Sequence, residues 1–163
     1  MAADLLFKAP VVYEPLRKNR FLFQFPSDTG IQSWWVVTSG LPSINQNATE
    51  IAFLNTSTWV LGRYTWDDIQ ISFRQFIGPS TSQALMEWIR LCSESVTGRQ
   101  GYAAGYKRNV AINMLDPNGV TVQKWVLVNA FPTTANFGEL GYDQDDVLTA
   151  DVSLKYDYAI LVY

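Results

Sequence analysis

From Leu148 to Tyr158 the chain alternates without interruption: Leu148, Ala150, Val152, Leu154, Tyr156 and Tyr158 are separated by Thr149, Asp151, Ser153, Lys155 and Asp157. Successive side chains of a β-strand point to opposite faces, so this spacing predicts one strand with a dry side and a wet side. The stretch is about twice the usual five or six residues of a strand. Its dry side demands a second layer, and a polar side of that length demands water or a water-filled channel. Thr121 onward predicts a second long strand before it. A broad loop carrying Phe131-Pro132-Thr133 and Gly138-Glu139-Leu140 is expected to join the two.

The rest of the chain must cover the apolar side. With 163 residues, 48% hydrophobic and 14% aromatic, it has enough apolar surface for the core of one domain. Phe21, Phe23 and Phe25 alternate with Leu22 and Gln24, and Gln32 to Thr38 is rich in Trp34, Trp35, Val36 and Val37. With the turn residues Ser27-Asp28-Thr29-Gly30 between them, these read as a hairpin. Ser43 to Trp66 mixes Ile51, Phe53, Thr56, Thr58 and Val60 with Asn45, Asn47, Asn55 and Gly62, and reads as two strands that leave the core and return. Ile69, Ile71 and Phe73 mark another strand, which Gly78-Pro79 ends.

Ser80 and Gln83 have the spacing of a capping box, and Leu85, Trp88, Ile89 and Cys92 fall on one stripe, so a helix is expected over about 81–94. Cys92, the only cysteine, reads as a small apolar residue of that stripe. The three glycines between Gly98 and Gly105 suggest a flexible loop. Val110, Ile112 and Met114, the turn Asp116-Pro117-Asn118-Gly119, and Val120, Val122, Val126 and Val128 give a hairpin. The sum is a mainly β chain: a sandwich or barrel of about seven or eight strands with one flanking helix. Residues 1–18 carry Leu5-Leu6-Phe7, Val11-Val12-Tyr13, Pro10 and Pro15 and read as an extended arm, leaving 19–163 as a single β-domain.

Histidine is absent, which removes the commonest general base, the Ser-His-Asp arrangement and most zinc sites. Asp143, Asp145 and Asp146 crowd one stretch but lack the alternation and later glutamate of a calcium loop. Gly98-Arg99-Gln100-Gly101 is followed by no Gly-Lys-Ser/Thr and is no phosphate cradle. No catalytic residue, cofactor or metal is expected. Twelve basic against fifteen acidic residues, with no basic run, argue against a protein built to grip nucleic acid. Residues 1–10 have no leader pattern and no run approaches a membrane span, so the chain is expected to start inside a cell. Six tryptophans keep a carbohydrate-binding module as an alternative, and a histidine-free hydrolase with paired carboxylates as a second.

Three groups of residues together resemble the tail tube proteins of contractile-tailed bacteriophages. They are Gly40-Leu41-Pro42; Ile51-Ala52-Phe53-Leu54-Asn55 through Val60-Leu61-Gly62-Arg63 to Trp66-Asp67-Asp68-Ile69-Gln70-Ile71; and Phe131-Pro132-Thr133, Gly138-Glu139-Leu140, Asp151-Val152-Ser153-Leu154 and Asp157-Tyr158. The resemblance implies a structural virion protein that forms six-membered rings stacked into a tube inside a contractile sheath, with DNA leaving through the lumen. Its partners would be its own copies, sheath, baseplate and tail terminator proteins, and a tape measure protein in the lumen. It would be assembled in the host cytoplasm, with no membrane partner. A baseplate tube initiator, a bacteriocin tube and a type VI secretion tube share the pattern. On this reading Ile51, Phe53, Asn55 and Trp59 are candidates for ring stacking. Thr149, Asp151, Ser153, Lys155 and Asp157 are candidates for the lumen wall, an acidic one that repels DNA.

Overall fold

The computed structural model describes residues 13–162. Most of the expected arm, residues 1–12, lies outside the described residues, and residues 13–17 carry no strand or helix. The strands among the described residues are β1 (Phe21–Gln24), β2 (Val36–Ser39), β3 (Ile44–Phe53), β4 (Thr56–Trp66), β5 (Ile69–Arg74), β6 (Arg108–Leu115), β7 (Thr121–Asn136), β8 (Thr149–Lys155) and β9 (Tyr158–Val162). Helix α1 (Thr81–Cys92) and the single turn α2 (Ala103–Tyr106) lie between β5 and β6. The fold is mainly β, as the alternations predict.

Strand β7 holds the two layers together. It is 16 residues long; its first half pairs with β6 on one edge and β9 on the other, and its second half with β8. One layer therefore runs β1-β6-β7-β9 and the other β7-β8-β5-β2, all pairings antiparallel. The alternating stretch Leu148 to Tyr158 follows β7 as expected, but as two strands. It breaks at Tyr156-Asp157, opposite the place where Asn129 takes a left-handed φ of 57°. The pairing Phe131 with Lys155 and Val128 with Tyr158 keeps one register across the break, so this is a corner that folds one layer over the other and not a slip. Asparagine tolerates that φ better than most side chains.

Inward-facing residues of the two layers meet in a single core. Phe23, Val110, Ile112 and Leu127 come from the first layer, and Ile69, Ile71, Phe73, Ala150, Val152 and Leu154 from the second, with Trp35 between. Each fully buried large side chain contributes about 1.5–3 kcal/mol. Helix α1 adds Ala84, Leu85 and Trp88 to the same core. The Ser80 hydroxyl accepts from Gln83 N at 3.3 Å, as the capping spacing predicts. Thr81 Oγ1, wholly buried, donates to Arg74 O at 3.0 Å and accepts from Phe76 N at 3.2 Å, which ties the helix start to the end of β5. Ile89 and Cys92 are only half-buried, and burial pushes the Cys92 thiol pKa up, the Arg108 charge opposing.

Three local expectations are corrected. Phe21–Phe25 and Gln32–Thr38 do not pair with each other: β1 pairs with β6 and β2 with β5, while Ser33–Trp35 is a 3-10 turn that buries Trp35. Both strands reach partners distant in sequence because their aromatic faces belong to different layers. Phe131-Pro132-Thr133 lies within β7, past its last pairing with β6 at Ala130, where one edge is free and a proline costs no ladder bond. The glycine-rich 98–105 stretch is held in place. Ser93 bridges Gln100, Gly101 N donates to Cys92 O at 3.1 Å, and Trp88 Nε1 donates to Tyr106 O at 2.9 Å.

Candidate assembly surfaces

Among the described residues strands β3 and β4 pair only with each other, from Ile44 with Trp66 to Phe53 with Thr56. Every residue of β3 is exposed, and β4 is exposed up to its last residue. The long excursion predicted for Ser43 to Trp66 is thus a free-standing hairpin. A two-stranded hairpin is marginal in water by itself, and this one displays Phe53 at 72%, Leu54 at 89% and Trp59 at 62% exposure. Ile51 and Phe53 lie opposite Thr58 and Thr56 and share a face with Val60, the partner of Thr49. Trp59, opposite Glu50, shares the other face with Leu61. Asn55 sits in the turn beside Leu54, whose φ is 52°. The four stacking candidates therefore divide between two apolar faces and a tip. A bulge that sets Gly62 and Arg63 against Asn47 breaks the register partway along.

The outer face of the second layer is polar. Thr149, Asp151 and Lys155 are exposed there beside Gln70, Ser72 and Arg74 of β5. Ser153 shares that row but is only 8% exposed, covered through its hydrogen bond with Gln70 Nε2. Ser72 Oγ donates to Asp151, and Lys155 Nζ pairs with Asp68 at 3.2 Å. Asp157 leaves this face. At the corner it accepts from Asn129 Nδ2 at 2.7 Å and pairs with Lys107 Nζ at 3.1 Å. Those two hydrogen bonds, from Asn129 first and Lys107 second, hold its carboxyl below the usual aspartate range. Arg74, opposite Thr149, was not singled out in the sequence; its period-two position on β5 was the available signal.

The outer face of the first layer is the reverse. Val122, Tyr158, Ile160 and Val162 are exposed along β7 and β9, with Leu22 on β1. Among the described residues the free edges are those of β1, β2 and β9, together with the edge of the second half of β7 away from β8. On the helix Leu85 and Trp88 are each 2% exposed, and the exposed large apolar side chain is Leu91 at 50%. A cleft of about 600 Å³ between α1 and residues 99–101 holds Asp28, Glu87 and Glu94, and Asp28 is already engaged by Arg108 Nε at 2.6 Å. Among the described residues no three Cys, Asp or Glu converge as metal ligands would, and no helix is long and apolar enough to cross a membrane.

The family described as T4-like virus tail tube protein gp19 matches residues 17–160. The chain belongs to that tail tube family. No curated protein matches the sequence. Solved structures similar to this tail tube protein share its fold at low identity. They include the anti-feeding prophage tube terminating cap, at 17% identity, TM-score 0.75, covering 95% of each chain. A sheath/tube terminator of an extracellular contractile injection system is similar at 18% identity and TM-score 0.73, covering 94% of this chain and 100% of that one. A chain of the sheath-tube complex of such a system is similar at 19% identity and TM-score 0.67, covering 93% of each. The two-layer architecture is thus that of contractile injection system tube and cap proteins.

Proposed function

We propose that this tail tube protein forms six-membered rings that stack into the inner tube of a contractile tail, and that DNA leaves through the lumen. The observation that carries the reading is the β3–β4 hairpin. An all-exposed hairpin, apolar on both faces and away from the core, gains stability only against neighbouring copies. Ile51, Phe53, Asn55 and Trp59 are the stacking contacts on this reading. The polar outer face of the second layer is the lumen wall, presenting Thr149, Asp151 and Lys155 with Gln70, Ser72 and Arg74, while Ser153 is covered by Gln70 within it and Asp157 stands at the corner beside it. Its charges, Asp68 and Asp151 against Arg74 and Lys155, balance, so the wall is neutral and polar instead of acidic.

The free edges of β1, β2 and β9 join subunits within the ring, since a barrel closed across subunits leaves no strand edge open to aggregation. Sheath protein, baseplate and tail terminator meet the outside and ends of the tube, and a tape measure protein fills its lumen before ejection. The similarity to a sheath/tube terminator and to a chain of a sheath-tube complex supports such partners. Electron microscopy of the purified full chain tests the proposal. Six-fold rings or tubes with a central channel are expected, and a chain that stays monomeric at high concentration overturns it.

A further inference from the structure

The two layers part between their edge strands β1 and β2, and there they leave an apolar cleft of about 330 Å³ lined by Lys18, Phe21, Leu41, Ile112 and Met114. Its rim is basic. Arg17 and Lys18 are exposed and have no acidic partner among the described residues, and the turn in which Arg20 N donates to Arg17 O at 3.2 Å holds them beside Phe21. Arg20 is already paired with Glu14 at 3.7 Å.

At the other end of the second layer the chain between β7 and β8 has the complementary character. Leu140 is 89% exposed, and Tyr142 and Val147 are also bare, interleaved with Glu139, Asp143, Asp145 and Asp146 and with no basic residue. None of these four carboxylates has a cationic partner among the described residues. The loop is anchored where β5 ends: Gln75 N donates to Leu148 O at 2.9 Å, and Gln75 Nε2 donates to Phe137 O at 2.7 Å. The cleft lies where β5 begins, with Gly40 N donating to Gln70 O at 3.0 Å.

β5 is six residues long, so at about 3.3 Å per residue the two places are roughly 17 Å or more apart. A loop fixed at both its ends would have to run the length of its own sheet to reach its own cleft. Between two copies set head to tail the contact needs no such excursion.

We propose that the 139–147 loop of one copy seats Leu140 and Tyr142 in the β1/β2 cleft of the next, with its carboxylates against Arg17 and Lys18. This rests on the reading of rings stacked into a tube and names a second contact between them. The base of the β3–β4 hairpin is at the same end as the cleft, where Asp67 N donates to Ser43 O, so both devices face the same neighbouring ring. A contact between two different surfaces repeats without limit along an axis, as tube growth requires. Charge complementarity sets its direction, because two like ends would bring carboxylates against carboxylates.

A charge-swap cycle on the full chain tests it, with tube length and ring formation both scored by electron microscopy. Arg17→Glu with Lys18→Glu, or Asp145→Lys with Asp146→Lys, is expected to leave rings intact while shortening tubes by about tenfold or more. All four changes together are expected to restore length. Leu140→Ser with Tyr142→Ser provides an uncharged check and should also shorten tubes. Normal tubes from each single swap, or no recovery on combination, would overturn the docking while leaving the ring reading intact. So would tubes lost on deleting residues 1–12 but kept in every loop variant, which assigns the cleft to the arm instead. Failure of the unmodified chain to form rings would overturn both.

Discussion

Two residues at the edges of the second layer show how a single side chain, or the lack of one, sets local geometry. Gly138 has a φ of 90°, and a Cβ built there would lie 2.6 Å from Thr149 O and 2.8 Å from Leu148 Cδ1. Both the backbone conformation and the backbone contact exclude a side chain, so Gly138→Ala should destabilise the subunit by about 1–3 kcal/mol, read from the denaturant midpoint. Asp157 works through charge. Its folded pKa lies below its unfolded value, so its contribution to stability is present above the unfolded value and disappears as pH falls through the folded one. The melting temperature should therefore fall as pH drops below about 4. Asp157→Asn should flatten that part of the profile while lowering stability at neutral pH. An unchanged profile would mean that the Asn129–Asp157–Lys107 corner contributes nothing.

At the scale of elements, the hairpin and the core should respond in opposite ways to apolar truncation. Phe53→Ser and Trp59→Ser remove side chains that touch little within the subunit, so its stability should change by no more than about 0.5 kcal/mol; tube elongation should fail. Leu127→Ala, at a position with 0% exposure, should cost about 2–5 kcal/mol and unfold the subunit before assembly is at issue. The same contrast explains what the sequence disclosed. Period-two spacing marked β5 and β8, the capping box and stripe marked α1, and Ile51, Phe53, Thr56, Thr58 and Val60 set among the turn residues Asn45, Asn47, Asn55 and Gly62 marked β3 and β4. Each of these signals lies within a dozen or so residues of chain. Pairing does not: nothing in Phe21-Leu22-Phe23 says that its partner is Met114-Asn113-Ile112 and not the nearby Trp-rich strand. The corner at Tyr156-Asp157 was hidden because the apolar–polar alternation of the sequence runs on through Tyr158, although Tyr156 is buried and Tyr158 lies exposed on the other side of the bend. A fully exposed hairpin cannot be told by composition from one that packs on its own core, so the division of Ile51, Phe53 and Trp59 between two exposed faces was not legible.

For the whole molecule the decisive property is the contrast between its two outer faces. One carries Val122, Ile160 and Val162, apolar surface that water disfavours and a neighbour or sheath would cover. The other carries Arg74, Ser72, Gln70, Thr149, Asp151 and Lys155, with their charges balanced by Asp68. In a closed ring only one of these faces can line the channel, and the hydrated one is the face along which a polyanion can slide. Non-specific affinity for DNA comes mainly from cationic groups that displace counterions from phosphates, and it rises steeply as salt is lowered. With Thr149, Asp151 and Lys155 on the lumen wall, as proposed, the charges balanced by Asp68 and Arg74 give none of that attraction. Assembled tubes should therefore retain no duplex DNA even at low salt. Thr149→Lys with Asp151→Lys makes every subunit's wall basic without touching the core or the hairpin. Tubes of that variant should form normally and hold DNA at low salt, releasing it as salt is raised. If they form and bind no more DNA than unmodified tubes, β8 does not face the channel, and the apolar face or the ends of the ring must be re-examined as its lining.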